Sequence, residues 1–79
     1  MVLDNPRQEV LNRLRGLKYQ HFKGDTYIIV GWGTLESNKD IMVIYRKEGS
    51  KLTWIRSYTE FFGDKEVDGT SVERFKRID

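Results

Sequence analysis

The chain has 79 residues, with 14 lysines and arginines against 12 aspartates and glutamates, one histidine and no cysteine. That length holds one domain with a modest core. The missing cysteines exclude a disulfide framework and a thiolate zinc site, and a net charge of +2 is too balanced to mark a nucleic-acid binder by itself.

The start, Met1-Val2-Leu3-Asp4, has no basic stretch followed by an apolar one, so it does not read as a secretion signal. The longest apolar run, Tyr27–Trp32, is far shorter than the roughly 20 residues needed to cross a bilayer. A cytoplasmic protein without a membrane partner is the expectation.

Asn5-Pro6-Arg7-Gln8 begins a helix: Asn5 accepts backbone N–H bonds as cap, Pro6 suits the first helical position, and Gln8 completes a capping box. Val10, Leu11 and Leu14 make one apolar stripe, and Gly16 is a natural stop. The helix is expected over about Pro6–Arg15. It is too short to stand alone, so residues 1–17 are expected to pack on the remainder, 18–79.

From Lys18 the pattern changes to strands. Lys18–Lys23 leads into a Gly24-Asp25 turn, and Thr26–Leu35 is a long strand in which Gly31 and Gly33 signal a bulge or sharp bend. After a polar turn at Glu36–Lys39 comes a third strand, Asp40–Arg46. A turn at Lys47–Lys51 leads to a fourth, Leu52–Ser57. In the third strand Met42 and Ile44 lie on one side, and Ile41, Val43 and Tyr45 on the other. Both sides are apolar, so both are expected to be covered.

Tyr58–Gly63 breaks the strand rhythm and suggests a single helical or 3₁₀ turn plugging one end. Asp68-Gly69 is a hairpin turn between Lys65–Val67 and Thr70–Phe75, and a last strand over about Ser71–Ile78 is expected to pair back on an earlier one. Short strands with turns about every eight to twelve residues suggest a small barrel or roll.

His21-Phe22-Lys23-Gly24 with Tyr27, Val43-Ile44-Tyr45-Arg46, Trp54-Ile55-Arg56, Phe61-Phe62, Val67-Asp68-Gly69 and Arg74-Phe75 follow one another at characteristic distances. In this ordered set the chain resembles the bacterial and phage family known as domain of unknown function 1653. The resemblance implies a mainly β fold, a small SH3-like β-barrel of about five strands, here with a short N-terminal α-helix. It implies no particular activity. Leu35, Ser37 and Asn38 stand where that family carries a His and a Glu-Thr pair, and Ser57 where it carries a Pro. Only the side with His21, Lys23, Tyr45, Trp54 and Arg56 carries over.

The residues themselves offer few catalytic combinations. His21 is the only imidazole; Ser57 or Ser50 with Asp25 would complete a triad only formally, and no nucleophile elbow is present. A single histidine is poor support for a metal centre, and Gly31-Trp32-Gly33 lacks the glycines and the following helix of a dinucleotide loop. No enzyme, metal or cofactor is expected. His21 reads first as a structural side chain bonding a turn carbonyl or packing on Tyr27.

Trp54 and Arg56 share a strand face. A guanidinium beside indole and phenol rings can stack on a flat group while holding a phosphate or carboxylate. Two expectations compete: Trp54 is core and Arg56 ties down the acidic loop of Glu60 and Asp64, or the pair is a surface site. The functional reading is a small binding module whose patch is Tyr19, His21, Lys23, Tyr45, Trp54 and Arg56. Its partner would be a protein or peptide segment, or a small anionic, nucleotide-like ligand. Alternatives are a nucleic-acid-binding barrel, with Trp32 as a stacking platform, and a homo-oligomer built on the helix stripe or a sheet face.

Overall fold

In a computed structural model, residues 12–78 of the chain are described. The strands are β1 (Lys18–His21), β2 (Thr26–Thr34), β3 (Ile41–Lys47) and β4 (Thr53–Ser57). A helical turn, α1 (Tyr58–Phe61), precedes β5 (Asp64–Val67), β6 (Thr70–Glu73) and β7 (Phe75–Arg77). Five strands form an antiparallel sheet in the order β4-β3-β2-β1-β7, and β5 and β6 form a separate two-stranded ladder. The protein is a mainly β domain. Among the described residues no helix is long and apolar enough to cross a membrane.

The sheet is not closed into a barrel, which corrects the expectation of an SH3-like barrel. Strands β4 and β7 lie at its two edges. The physical reason is in the last segment. The expected strand Ser71–Ile78 is broken at Arg74, so that Thr70–Glu73 pairs with β5 and only Phe75–Arg77 returns to β1. The break is held by backbone bonds on both sides of Arg74, whose N–H donates to Gly63 and whose carbonyl accepts from Phe22.

Alternation in β3 decides which side is the inside. Ile41, Val43 and Tyr45 are buried, whereas Met42 and Ile44 are only half-buried. The core consists of these three with Tyr19, Ile29, Phe61 and Phe75. It is held chiefly by aromatic edges and faces: Phe61 stacks on Phe75 with centroids 4.1 Å apart and meets Tyr45 at 5.1 Å and Tyr19 at 5.5 Å edge-on. Such contacts add about 0.5–1.5 kcal/mol each beyond area burial. The outer face is less covered than expected, since Ile55, the partner of Ile44 across the ladder, is 63% exposed.

The expected bulge is present. The β2–β3 register shifts between Ile29 and Gly31. The carbonyl of Ile29 accepts from Gly16 N–H and its N–H donates to Leu17, which ties the end of the N-terminal segment to the sheet. Residues 12–14 are helical, and Leu14 and Leu17 pack on the core. The remainder of the expected helix, with Asn5, Pro6, Gln8, Val10 and Leu11, lies outside the described residues.

The expected helical turn is α1. Ser57, in extended conformation, caps it by accepting from Glu60 N–H at 3.3 Å. Phe61 is thereby driven into the core with no exposed surface. At the end of this turn a Cβ on Gly63 would lie 2.6 Å from the Thr59 carbonyl oxygen, so only glycine fits. The Asp68-Gly69 hairpin turn is also as read, with φ positive at both residues.

Candidate functional site

All five strands of the larger sheet bring the chemistry together. Tyr45 lies directly opposite Trp54 across the β3–β4 ladder, and Arg56 lies opposite Val43. All four therefore point to the aromatic face of the sheet. On the far side, β1 ends at His21, which is paired with Phe75. Between these sides is a recess of about 200 Å³ lined by His21, Tyr27, Tyr45, Trp54, Arg56 and Phe75.

Arg56 is fixed from two directions. Its Nε donates to the Tyr45 hydroxyl at 3.4 Å, and its Nη1 lies 3.8 Å from the Glu60 carboxylate one helical turn on. The acidic-loop expectation is therefore met by Glu60. Trp54 is 46% exposed, so the expectation that it serves as core is corrected. The reason is its place on an edge strand, where among the described residues no further strand covers the indole.

His21 is held by its own turn: Nδ1 accepts from the Lys23 backbone N–H at 3.2 Å. In the neutral imidazole this leaves Nε2 as the N–H donor. The ring packs on Phe22, Phe75 and Tyr27 at 4.4, 4.9 and 6.1 Å. Burial, then the cationic groups of Lys23, Arg56 and Arg74, hold the His21 pKa below its ordinary 6.5, with Asp25 pulling the other way. The surroundings of the imidazole thus carry a positive field.

Of the residues expected in the patch, His21, Tyr45, Trp54 and Arg56 line one recess. Tyr19 does not: it is buried beneath, edge-on to Phe61 and Phe62. Alternation along β1 places it on the same face as His21, but it lies deeper in the sheet. Lys23 stands in the exposed turn outside the recess, its Nζ 5.8 Å from the Phe22 ring centre; its side chain acts on the site through its charge, and its backbone N–H holds the His21 ring. Phe75 was not expected here, since its position opposite His21 exists only once β7 pairs with β1. The expected packing of His21 on Tyr27 is present, and alternation in β2 sets Tyr27 two residues before buried Ile29.

The triad candidates are engaged elsewhere. Ser57 Oγ caps α1, Ser50 Oγ accepts from Leu52 N–H, and Asp25 pairs with Lys47 at 3.6 Å. Among the described residues no three His, Asp or Glu gather as metal ligands. Trp32 is half-buried, packs on the core, and donates from Nε1 to Asn12 at 2.8 Å, which removes it as an open stacking platform.

A larger hollow of about 630 Å³ lies on the other side of His21, between Gln20–Gly24 and the β5–β6 hairpin. Its charged side chains, Glu73 and Lys76, are of opposite sign, so it offers no net field to select a ligand.

The family pattern of DUF1653, described as a protein of unknown function, matches residues 17–77. The chain belongs to this family. A crystal structure of a DUF1653 protein from Bordetella bronchiseptica is similar with a TM-score of 0.69 and 18% sequence identity, covering 86% of this chain and 91% of that one. At that identity the likeness is one of fold. No curated protein matches the chain. The matched span includes every residue of the recess and leaves out most of the N-terminal segment.

Proposed function

We propose that this DUF1653 domain is a binding module that receives the anionic end of a larger ligand, foremost an acidic or phosphorylated peptide segment. The observation that carries this reading is the recess in which Arg56, already aligned by Tyr45, stands beside the half-exposed indole of Trp54 and the imidazole of His21. A guanidinium can pair with carboxylate or phosphate through parallel N–H bonds while the indole stacks on the adjoining flat or apolar group. The cationic groups of Lys23, Arg56 and Arg74, which add to burial in lowering the His21 pKa, favour a negative charge in the ligand.

Size supports an anionic end group over a whole nucleotide. The recess measures about 200 Å³, below the roughly 300–1,000 Å³ of sites that enclose a complete small molecule. A carboxylate or phosphate with a few attached carbons fits, and the remainder of the ligand would run over the surface.

Isothermal calorimetry against acidic peptides, phosphorylated peptides and mononucleotides tests the reading, with Arg56→Ala as the control. Loss of a charge-assisted pair corresponds to about a 10- to 100-fold weaker affinity. If every detected binding survives Arg56→Ala unchanged, the recess is not the site. Binding only to DNA or RNA, falling steeply with salt, would assign the same patch to nucleic acid instead.

A further inference from the structure

The two edges of the five-stranded sheet are unlike. Strand β7 presents Lys76 and Arg77, the kind of charge that discourages further pairing. Strand β4 is the opposite case. Trp54 and Ile55 within it, and Leu52 just before it, are 46%, 63% and 59% exposed. They cover both faces of an edge that is unpaired among the described residues, without proline and with Arg56 as the only charge in the strand. An uncovered apolar edge of this kind is a template for another strand.

We propose that β4 pairs antiparallel with β4 of a second copy of this chain, about a two-fold axis through Ile55. The register follows from the strand's own residues. Ile55 is the midpoint of Thr53–Ser57, so centring there pairs the whole strand: Thr53 with Ser57, Trp54 with Arg56, and Ile55 with itself. Each guanidinium then faces the other copy's indole, an attractive cation–π pairing. Centring on Arg56 would set the two guanidinium groups directly opposite, which is unfavourable. It would also carry Trp54 opposite Tyr58, where α1 has begun and the strand has ended.

The same register has two consequences for surfaces. On the outer face the Ile55 pair joins the Ile44–Ile55 patches of both copies into one buried strip. On the inner face the second copy's Arg56 comes to stand beside Trp54 at the mouth of the recess, adding a second cation to it. Assembly through β4 does not depend on which ligand the recess takes, because it is read out without one.

The test uses the whole chain. Light scattering after size exclusion is expected to show dimer at high concentration, dissociating on dilution. Ile55→Lys places like charges across the axis and is expected to weaken the dimer about 10-fold or more. Thermal melting at a concentration where both chains are monomeric confirms that the variant is folded. A second variant uses the absence of cysteine. Paired Cα atoms in an antiparallel ladder are about 4.5–5.5 Å apart, within disulfide reach. Ile55→Cys is thus expected to oxidise to a covalent dimer much faster than Lys65→Cys on the exposed β5–β6 hairpin. A chain that stays monomeric at every concentration overturns the proposal. So does a dimer insensitive to Ile55→Lys, or an Ile55→Cys chain that cross-links no faster than Lys65→Cys.

Discussion

Trp54 and Tyr45 face each other across one ladder, yet Tyr45 is 4% exposed and Trp54 46%. Strand position makes the difference. Tyr45 lies on an inner strand under Phe61 and Phe75, with ring centroids at 5.1 and 5.4 Å, while Trp54 lies on the edge. The hydroxyl of the buried ring then reaches Arg56 and aims it beside the exposed one. A structural aromatic thus positions a surface cation.

Removing that hydroxyl separates positioning from charge. Tyr45→Phe keeps the ring packing and the guanidinium but deletes the 3.4 Å bond to Nε. The expected result is an anionic-peptide affinity reduced about 3- to 10-fold, as for loss of one modest hydrogen bond. Arg56→Lys should lose more, because an ammonium keeps the charge and not the paired donors. Calorimetry of both variants against the same peptide checks the order.

The pH dependence has a definite sign. The His21 pKa is lowered in the fold from 6.5, so above 6.5 the imidazole is neutral in both folded and unfolded chains and costs nothing. As pH falls below 6.5 the unfolded chain takes up the proton first, and stability declines until the folded chain is protonated too. Urea midpoints measured from pH 7.5 downwards should therefore fall through this range, and His21→Gln should flatten that part of the profile. An anionic ligand should bind His21-containing protein more tightly as pH falls, since protonation adds a positive charge to the recess wall.

Gly63→Ala tests the tight end of α1. The added methyl would sit 2.6 Å from the Thr59 carbonyl oxygen, backbone that cannot swing aside. A loss of about 1–3 kcal/mol is expected, or roughly 4–8 °C in Tm for each kcal/mol at this size. Because Arg74 N–H bonds to Gly63, amide exchange at Arg74 should accelerate in the same variant.

Phe61→Ala removes the ring at the centre of the core. Phe61 has no exposed surface and touches Tyr19, Tyr45, Phe62 and Phe75. The expected cost is about 3–5 kcal/mol, most of the stability available to a domain this small. Circular dichroism should show a largely unfolded chain at 37 °C. Phe61→Leu, which keeps much of the volume, should fold.

Much of the local structure was legible because local chemistry dictates it. The turn at Asp68-Gly69 needs positive φ, the bulge follows the glycines after Ile29, and Tyr58–Phe61 coils because Ser57 caps it. The site was half legible. Trp54 and Arg56 share a face by simple alternation, but their closeness to His21 depends on β2 lying between β1 and β3, and on β7 bringing Phe75 against the imidazole.

The sequence by itself determined the mainly β character, the places of the turns, the two apolar sides of β3 and the pairing of Trp54 with Arg56 on one side of a strand. These are periodicity and backbone preferences, carried by residues within a few positions of one another. Only the tertiary structure decided that Tyr19 is core and Trp54 is surface, that the last segment breaks at Arg74, and that the sheet stays open. Each of these depends on which strand lies at an edge. Edge position is set by long-range pairing between β1 and β7, whose partners are more than fifty residues apart, and no local pattern encodes it.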